Sequence, residues 1–404
     1  AIFNASLRKC CIPAIWKQSV IVPLPKPNKD KKVGSSYRPV SLLCPAVKIL
    51  EKLILPLLQQ HLPLSSHQHG FRKSHSTTTA LMKLVRSAGN GFNASTRRRQ
   101  HSKRTIVVAL DLSKAFDSLD HCILLNKIAN TTLPGAVSRW LGNYLHGRQI
   151  CTIYGDCKSR HRLIKVGSPQ GSVISPHLFN FYIADLPVPP APLQLVSYAD
   201  DITVYGTGQL AELEVALNAY LPVLKDHLDG LYLQLSEAKS AWTTFTRETK
   251  QINKLQLQID GALQPQDRIA RIHIRGVDIP LERHLKVLGV TLDSQLRFHK
   301  HVDTISKKVR KNTNVIKALA TSKAGQCKES LVSTYKAIGR SLIDYAAPVW
   351  SPNASQASID KLQVAQNAAL RAATGCHMMS DPDHLHAETS LLKVKAHCKP
   401  VSYT

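Results

Sequence analysis

Two adjacent carboxylates, Asp200 and Asp201, lie inside an apolar, β-prone stretch at residues 193–205. The flanking runs read as strands and the acid pair as the tip of a hairpin. Neighbouring carboxylates repel, so a fold that holds them together usually supplies a cation, and a hard divalent ion with oxygen ligands is the natural one. The same pair also suits a solvated turn, where Asp is common. A third acid, Asp111, ends the buried-strand pattern of residues 105–110. In isolation, that Asp reads equally as a helix cap. If the two strands lie side by side in one sheet, the three carboxylates converge on one edge. Such an edge can hold two Mg²⁺ ions on the order of 3.5–4 Å apart, which activate a 3′-hydroxyl and stabilise a leaving pyrophosphate. Magnesium keeps phosphates and waters among its ligands, so few protein carboxylates are needed. The chemistry indicated is phosphoryl transfer, with nucleotide polymerisation as its economical form.

Other segments offer contacts for such a substrate. Residues 23–32 form a proline-stiffened basic loop between strand-like runs, a hairpin that carries Lys26 and Arg38 toward an anion. A solvated lysine-rich loop is the alternative. The run from His69 to Thr79 places Gly70, Arg72, Lys73 and several hydroxyls before a helix, which suits either phosphate contact at a helix N-terminus or a purely structural turn. Gln170 sits between Pro169 and Gly171 in a compact turn where a flat ligand or sugar-phosphate can approach the backbone. Ser175 then reads as a helix cap with Pro176 at the first helical position.

The elements that must position these residues follow from periodicity. Helices are expected at about 45–62, 133–145 and 209–230, with Pro222 kinking or dividing the last. Residues 246–284 are polar and poorly periodic, with short alternating runs such as 269–274. Residues 285–292 return to strand. Three helices follow, at about 300–320, 326–346 and 356–374, the first with Lys307, Lys308, Arg310, Lys311 and Lys317 on its polar side. Residues 96–104 read as a basic loop that adds to the attraction for phosphate.

The bulk charge points the same way. The 404 residues include 53 Lys+Arg against 27 Asp+Glu, a formal net charge of +26. A globular chain this basic most often binds a polyanion, nucleic acid first and an anionic membrane surface second. The longest apolar stretch, residues 40–58, contains Lys48, Glu51, Lys52 and prolines, so no spanning helix and no membrane partner is expected. Nine scattered cysteines without a Cys-x-x-Cys spacing indicate neither a zinc site nor a disulfide framework, and fit a reducing compartment. The histidines 377, 384, 386 and 397, with Cys376 and Cys398, match no metal-site spacing. The chain starts without Met and reads as a fragment of something longer.

Six segments in order resemble the reverse transcriptase domain of non-LTR (LINE-type) retrotransposons, most closely the jockey-like group. They are Leu24-Pro-Lys-Pro with Tyr37-Arg-Pro-Val-Ser-Leu-Leu43, Gly70-Phe-Arg-Lys with Ser76-Thr-Thr78, Ala109-Leu-Asp-Leu-Ser-Lys-Ala-Phe-Asp117, Pro169-Gln-Gly-Ser-Val-Ile-Ser-Pro176, Tyr198-Ala-Asp-Asp201 and Leu288-Gly-Val290. The resemblance implies an α+β, right-hand fingers, palm and thumb fold with an antiparallel palm sheet. The implied fingers cover 1–105, the palm 106–290 with a fingers insertion at about 121–165, and the helical thumb and C-terminal extension 291–404. It implies an RNA-directed DNA polymerase using an RNA template, a DNA primer or target, dNTPs and two Mg²⁺ ions, with Mn²⁺ as a substitute. Asp111, Asp200 and Asp201 match the metal-binding triad, and Lys239 matches a lysine that protonates pyrophosphate. Lys26 and Arg38 match the triphosphate grip, Phe116 the position beneath the incoming sugar that excludes a 2′-hydroxyl, and Gln170 a nucleotide and template contact. Leu288, Gly289 and Val290 match the primer grip, and Arg72 and Lys73 are template-contact candidates. The implied location is intracellular, in nucleus and cytoplasm. The rivals are a catalytically dead transposon remnant that only binds nucleic acid, and a polymerase of the group II intron maturase or telomerase kind.

Overall fold

The computed structural model describes residues 1–27, 29–94, 103–264, 267–321 and 325–398. The basic run anticipated at 96–104 lies outside the described residues up to 102. The chain opens with α1 (Ile2–Arg8), then β1 (Gln18–Pro25) and β2 (Tyr37–Leu42), which pair antiparallel with Val22 opposite Val40. This is the hairpin anticipated around the proline-rich basic loop. α2 (Pro45–His61) and α3 (Thr77–Ala94) follow, then β3 (Arg104–Ser113), α4 (His121–Ala129) and α5 (Gly135–Leu145). β4 (Gln149–Tyr154) returns to lie parallel to β1, Ser19 opposite Ile150, and carries the short strands β5 (Cys157–Lys158) and β6 (Arg162–Leu163).

α6 (Ser175–Tyr182) leads into β7 (Leu193–Tyr198) and β8 (Asp201–Gly208), then α7 (Leu210–Gly230) and β9 (Gln234–Phe245). These strands and β3 make a four-stranded antiparallel sheet in the order β7-β8-β3-β9. Successive strand side chains face opposite ways. Ile106, Val108, Leu110 and Leu112 pack with Leu178, Phe179, Leu213 and Leu217 of α6 and α7. Val107 packs with Leu81, Leu84 and Ala88 of α3. Cover on both faces explains why residues 105–108 are continuously buried.

α8 (Thr249–Ile259) and the short antiparallel pair β10 (His273–Ile274) and β11 (Val277–Asp278) precede a further hairpin, β12 (His284–Val287) and β13 (Val290–Asp293). The C-terminal part is helical: α9 (His299–Leu319), α10 (Lys328–Tyr335), α11 (Ser341–Asp344), α12 (Ala347–Trp350), α13 (Gln356–Thr374), α14 (Pro382–Thr389) and α15 (Val394–His397). Its apolar side shares a core with β12, β13 and the α3 face of the sheet. The expected α+β architecture, with an antiparallel sheet, packed helices and a helical C-terminal part, is the one observed.

Four local expectations are corrected. Pro222 does not divide α7, which runs unbroken from Leu210 to Gly230. Its apolar contacts, with Leu213, Leu217, Leu221, Leu224 and Leu228 buried, outweigh the one backbone bond a proline removes. The polar stretch at 246–284 contains α8, whose apolar stripe of Ile252, Leu255 and Ile259 at helical spacing was overlooked among polar neighbours. The alternating run 269–274 yields strand only at its last two residues. Ser175 does not cap α6: its own N–H donates to Ser172 Oγ, so Ser172 does the capping from three residues upstream.

Candidate active site

β7 and β8 are joined by a two-residue loop, Ala199 and Asp200, with Tyr198 paired to Asp201. The predicted hairpin tip is therefore real. β3 runs antiparallel to β8, with Val107 opposite Tyr205, Ala109 opposite Thr203 and Leu110 opposite Ile202. One step further, this register sets Asp111 against Asp201, and strand alternation puts both on the face of Val107 and Ala109. Asp111 is thus a sheet residue and not a helix cap.

The electrostatics express this crowding. Desolvation, then Asp200 and then Asp111, push the Asp201 carboxyl up to about 6. Desolvation raises Asp200 too, with Asp111 adding to it. Lys239 Nζ lies 3.4 Å from Asp111 Oδ2. It reaches that point from an irregularity in β9, where Ala109 pairs with Ala241 but Asp111 pairs with Ser236. Among the described residues no three His, Cys, Asp or Glu side chains form a ready-made metal cluster. The donor set still suits a hard divalent cation: it is all oxygen, it shares one sheet edge, and two of its carboxyls carry a charge conflict that a cation relieves.

Beside the acids opens a cleft of about 840 Å³ whose walls include Lys26, Arg38, Phe116, Gln170 and Asp200. Lys26 Nζ donates to Ser35 O at 2.9 Å, and Arg38 is exposed. Phe116 stacks on Phe179, with centroids 4.5 Å apart. Gln170 is held on two sides: its carbonyl accepts the Ser41 N–H at 2.8 Å, and its Nε2 donates to Asp117 Oδ1 at 2.9 Å. Burial raises the Asp117 carboxyl, and the bond from Gln170 partly offsets that. Under this turn Glu51, fully buried, accepts from Tyr144 Oη at 2.6 Å, Ser172 Oγ at 3.0 Å and Val173 N at 2.5 Å.

A profile of the family "Reverse transcriptase (RNA-dependent DNA polymerase)" matches residues 24–292, two thirds of the chain. The chain belongs to the reverse transcriptase family. It is 28% identical over 406 residues to the probable RNA-directed DNA polymerase from transposon BS of Drosophila melanogaster, covering 98% of this chain and 42% of that protein. It is 27% identical over 386 residues to the RNA-directed DNA polymerase from mobile element jockey of Drosophila funebris, covering 93% and 39%. The chain therefore spans about two fifths of the length of these curated relatives. Among solved structures it is similar to telomerase from Candida tropicalis, with a TM-score of 0.45 and 8% identity, covering 94% of this chain and 65% of that one.

The remaining candidates of this reverse transcriptase-family chain lie outside the cleft wall. Leu288 and Gly289 form the two-residue turn between β12 and β13, with φ of 45° and 81°, and Val287 pairs with Val290. Tyr345 Oη donates to Leu288 O at 2.7 Å. Arg72 NH1 donates to Ser65 O at 3.0 Å, and Lys73 is exposed. The hydroxyls that followed them serve the helix itself: Ser76 Oγ accepts from Thr79 N, and Thr79 Oγ1 from Ser76 N, a reciprocal cap on α3. Sequence reasoning missed Glu51, counted only among the charges that interrupt the apolar stretch 40–58, and Gln68, which contacts the loop carrying Asp200. Neither has a periodic or charge-pattern signal. Among the described residues no helix is long and apolar enough to cross a membrane.

Proposed function

We propose that this chain is the polymerising part of a non-LTR retrotransposon's RNA-directed DNA polymerase, extending a DNA primer 3′-hydroxyl with dNTPs on an RNA template. One observation carries the reading: Asp111 and Asp201 face the same way on paired antiparallel strands, beside a cleft walled by Lys26, Arg38, Phe116, Gln170 and Asp200. On this reading residues 1–105 act as fingers, 106–290 as palm with a fingers insertion at about 121–165, and 291–404 as thumb and C-terminal extension.

Asp111, Asp200 and Asp201 would hold two Mg²⁺ ions, or Mn²⁺, in a family that generally uses divalent metal ions. When bound, such ions lower the pKa of the attacking hydroxyl and neutralise charge on the transferred and leaving phosphates. The chain's own groups do the rest. Arg38 grips the triphosphate through its planar fork, and Lys26 adds a point charge. Phe116, braced by Phe179, forms the floor under the sugar and leaves no room for a 2′-hydroxyl. Gln170, fixed between Ser41 and Asp117, contacts the incoming nucleotide and template. Lys239 supplies a proton to the leaving pyrophosphate. The Leu288-Gly289-Val290 turn holds the primer end, and Arg72 and Lys73 contact the template. The net charge of +26 gives such a chain its long-range attraction for nucleic acid. Its expected site of action is intracellular, in nucleus and cytoplasm.

The test is primer extension by the purified chain on poly(rA)·oligo(dT) with dTTP and Mg²⁺, beside an Asp200→Ala, Asp201→Ala control. Extension by the parent chain alone is the expected result. If neither protein extends the primer, the chain is a nucleic-acid-binding remnant. If both do, the acids are misassigned.

A further inference from the structure

We propose that Gln68 is the positioning residue of the loop that carries Asp200, an assignment that rests on the polymerase reading above. Its side chain is only 1% exposed, yet its polar atoms go almost entirely to one place. Oε1 accepts the Ala199 N–H at 2.9 Å, and Nε2 donates to the Ala199 carbonyl at 3.3 Å. One amide therefore engages both polar groups of the residue before Asp200. The Ala199 carbonyl belongs to the peptide plane that carries the Asp200 N–H, so the clamp fixes where the Asp200 side chain starts.

Such a loop needs a clamp. Ala199 has φ of 55°, a left-handed conformation that is strained for a residue with a Cβ. A strained residue persists only where its surroundings over-determine it. The segment around Gln68 does this by lying along β7: His69 N donates to Ser197 O at 2.8 Å, and Ser197 N to His67 O at 2.9 Å. Gln68 Oε1 also accepts the Gly70 N–H at 2.7 Å, and Asn180 Nδ2 donates to Gly70 O at 2.6 Å. These bonds tie Ala199, Gln68, Gly70 and α6 into one unit. Gly70 is needed for the approach, because a Cβ there would lie 2.5 Å from Ala199 N, closer than atoms can pack. This accounts for the Gln-x-Gly spacing ahead of Phe71 as a buttress of the acid hairpin.

The test uses the full chain with Gln68→Met, which keeps length and burial but loses every side-chain hydrogen bond, and Gly70→Ala, which drives a methyl against Ala199 N and the Gln68 amide. Hydrogen–deuterium exchange reads the clamp directly. Exchange in peptides spanning 197–202 should rise in both variants, with peptides from β3 unchanged. Mn²⁺ binding, followed by the electron paramagnetic resonance signal of free Mn²⁺, should weaken by about tenfold, as for other residues that orient metal ligands. In primer extension the half-saturating Mg²⁺ concentration should rise, while KM for dTTP at saturating Mg²⁺ stays unchanged. Wild-type exchange at 197–202 in both variants overturns the clamp. Raised exchange with unaltered Mn²⁺ binding and Mg²⁺ dependence overturns the positioning role. A parent chain that binds Mn²⁺ but extends no primer sinks the polymerase reading alone, because exchange and Mn²⁺ binding still report on Gln68.

Discussion

Lys239 stands over Asp111, 3.4 Å from its carboxylate, because β9 bulges beside it. Residues 237–240 of β9 are opposite Leu110 alone, so a side chain that a regular ladder would send elsewhere is re-aimed at the acid edge. Three contacts keep the bulge in place. Ser240 Oγ accepts the Asp111 N–H at 3.2 Å and donates to Ser236 O at 2.8 Å. Glu237, within the bulge, pairs with Lys225 of α7 at 2.8 Å. The Lys239 side chain is 67% exposed, so the ion pair adds little stability and its importance is positional.

Lys239→Ala should therefore slow nucleotide addition with little change in folding. A lost general acid lowers the single-turnover rate by about 10²-fold, while KM for dTTP stays close to the parent value. Lys239→Arg keeps the charge but cannot give up a proton at neutral pH, so it should hold KM for dTTP near the parent value without restoring rate. Full activity in Lys239→Arg would reduce Lys239 to a charge.

The raised acids set a pH dependence. Asp201 is pushed up to about 6 and Asp200 is raised, against about 3.9 for an unfolded Asp. The folded, metal-free chain thus binds more protons than the unfolded one between those values, and these groups cost stability as pH rises through them. Asp201→Asn should raise the Tm of the metal-free protein at pH 7.5, with the gain shrinking toward pH 4. A divalent cation favours the ionised form. At low Mg²⁺ the acid limb of the extension rate should lie near pH 6 and move lower as Mg²⁺ is raised. An acid limb that ignores Mg²⁺ would assign the limiting proton to another group.

Glu51 governs the Gln170 turn from below. All three of its contacts, from Tyr144, Ser172 and Val173, are donors. Glu51→Gln keeps the shape but turns an NH₂ toward one set of donors, leaving buried groups unpaired at a cost of about 1–3 kcal/mol. The expected outcome is a lower denaturation midpoint together with a raised KM for dTTP. A loss of stability with nucleotide KM unmoved would confine the network to the core.

The acid edge was legible because its signals are local and periodic. Apolar runs ending in Asp111 and flanking Asp200–Asp201 specify strands, and only their pairing had to be supplied. Lys26, Arg38, Phe116 and Gln170 were legible through their order along the chain, and the fold brings all four to one cleft. What stayed hidden depends on long-range closure. Gln68 acts on Ala199, 131 positions away, through hydrogen bonds that no hydrophobic pattern records. Glu51 lies on the buried side of α2, where a single acid among leucines looks like an exposed face. The β9 bulge has no Gly or Pro to announce it, and the short apolar stripe of α8, Ile252, Leu255 and Ile259, is diluted by the polar residues around it.

The turn at Leu288 and Gly289 is tuned by its backbone and by Tyr345. Both residues have positive φ, the signature of a tight two-residue hairpin, and Gly289 at 81° takes it without strain. A Cβ at Gly289 would also sit 3.3 Å from the Tyr345 ring, whose hydroxyl already donates to Leu288 O at 2.7 Å. Gly289→Ala thus carries two separable penalties, roughly 1–2 kcal/mol of backbone strain and a crowded ring. It should weaken binding of a labelled primer–template, read by fluorescence anisotropy, and raise KM for the primer while leaving KM for dTTP unchanged. Adding Tyr345→Ala removes the crowding but not the strain, so affinity should recover only in part. Tyr345→Ala alone frees the turn from the C-terminal helices and should weaken primer binding by itself. If primer affinity is indifferent to all three variants, this hairpin does not hold the primer end.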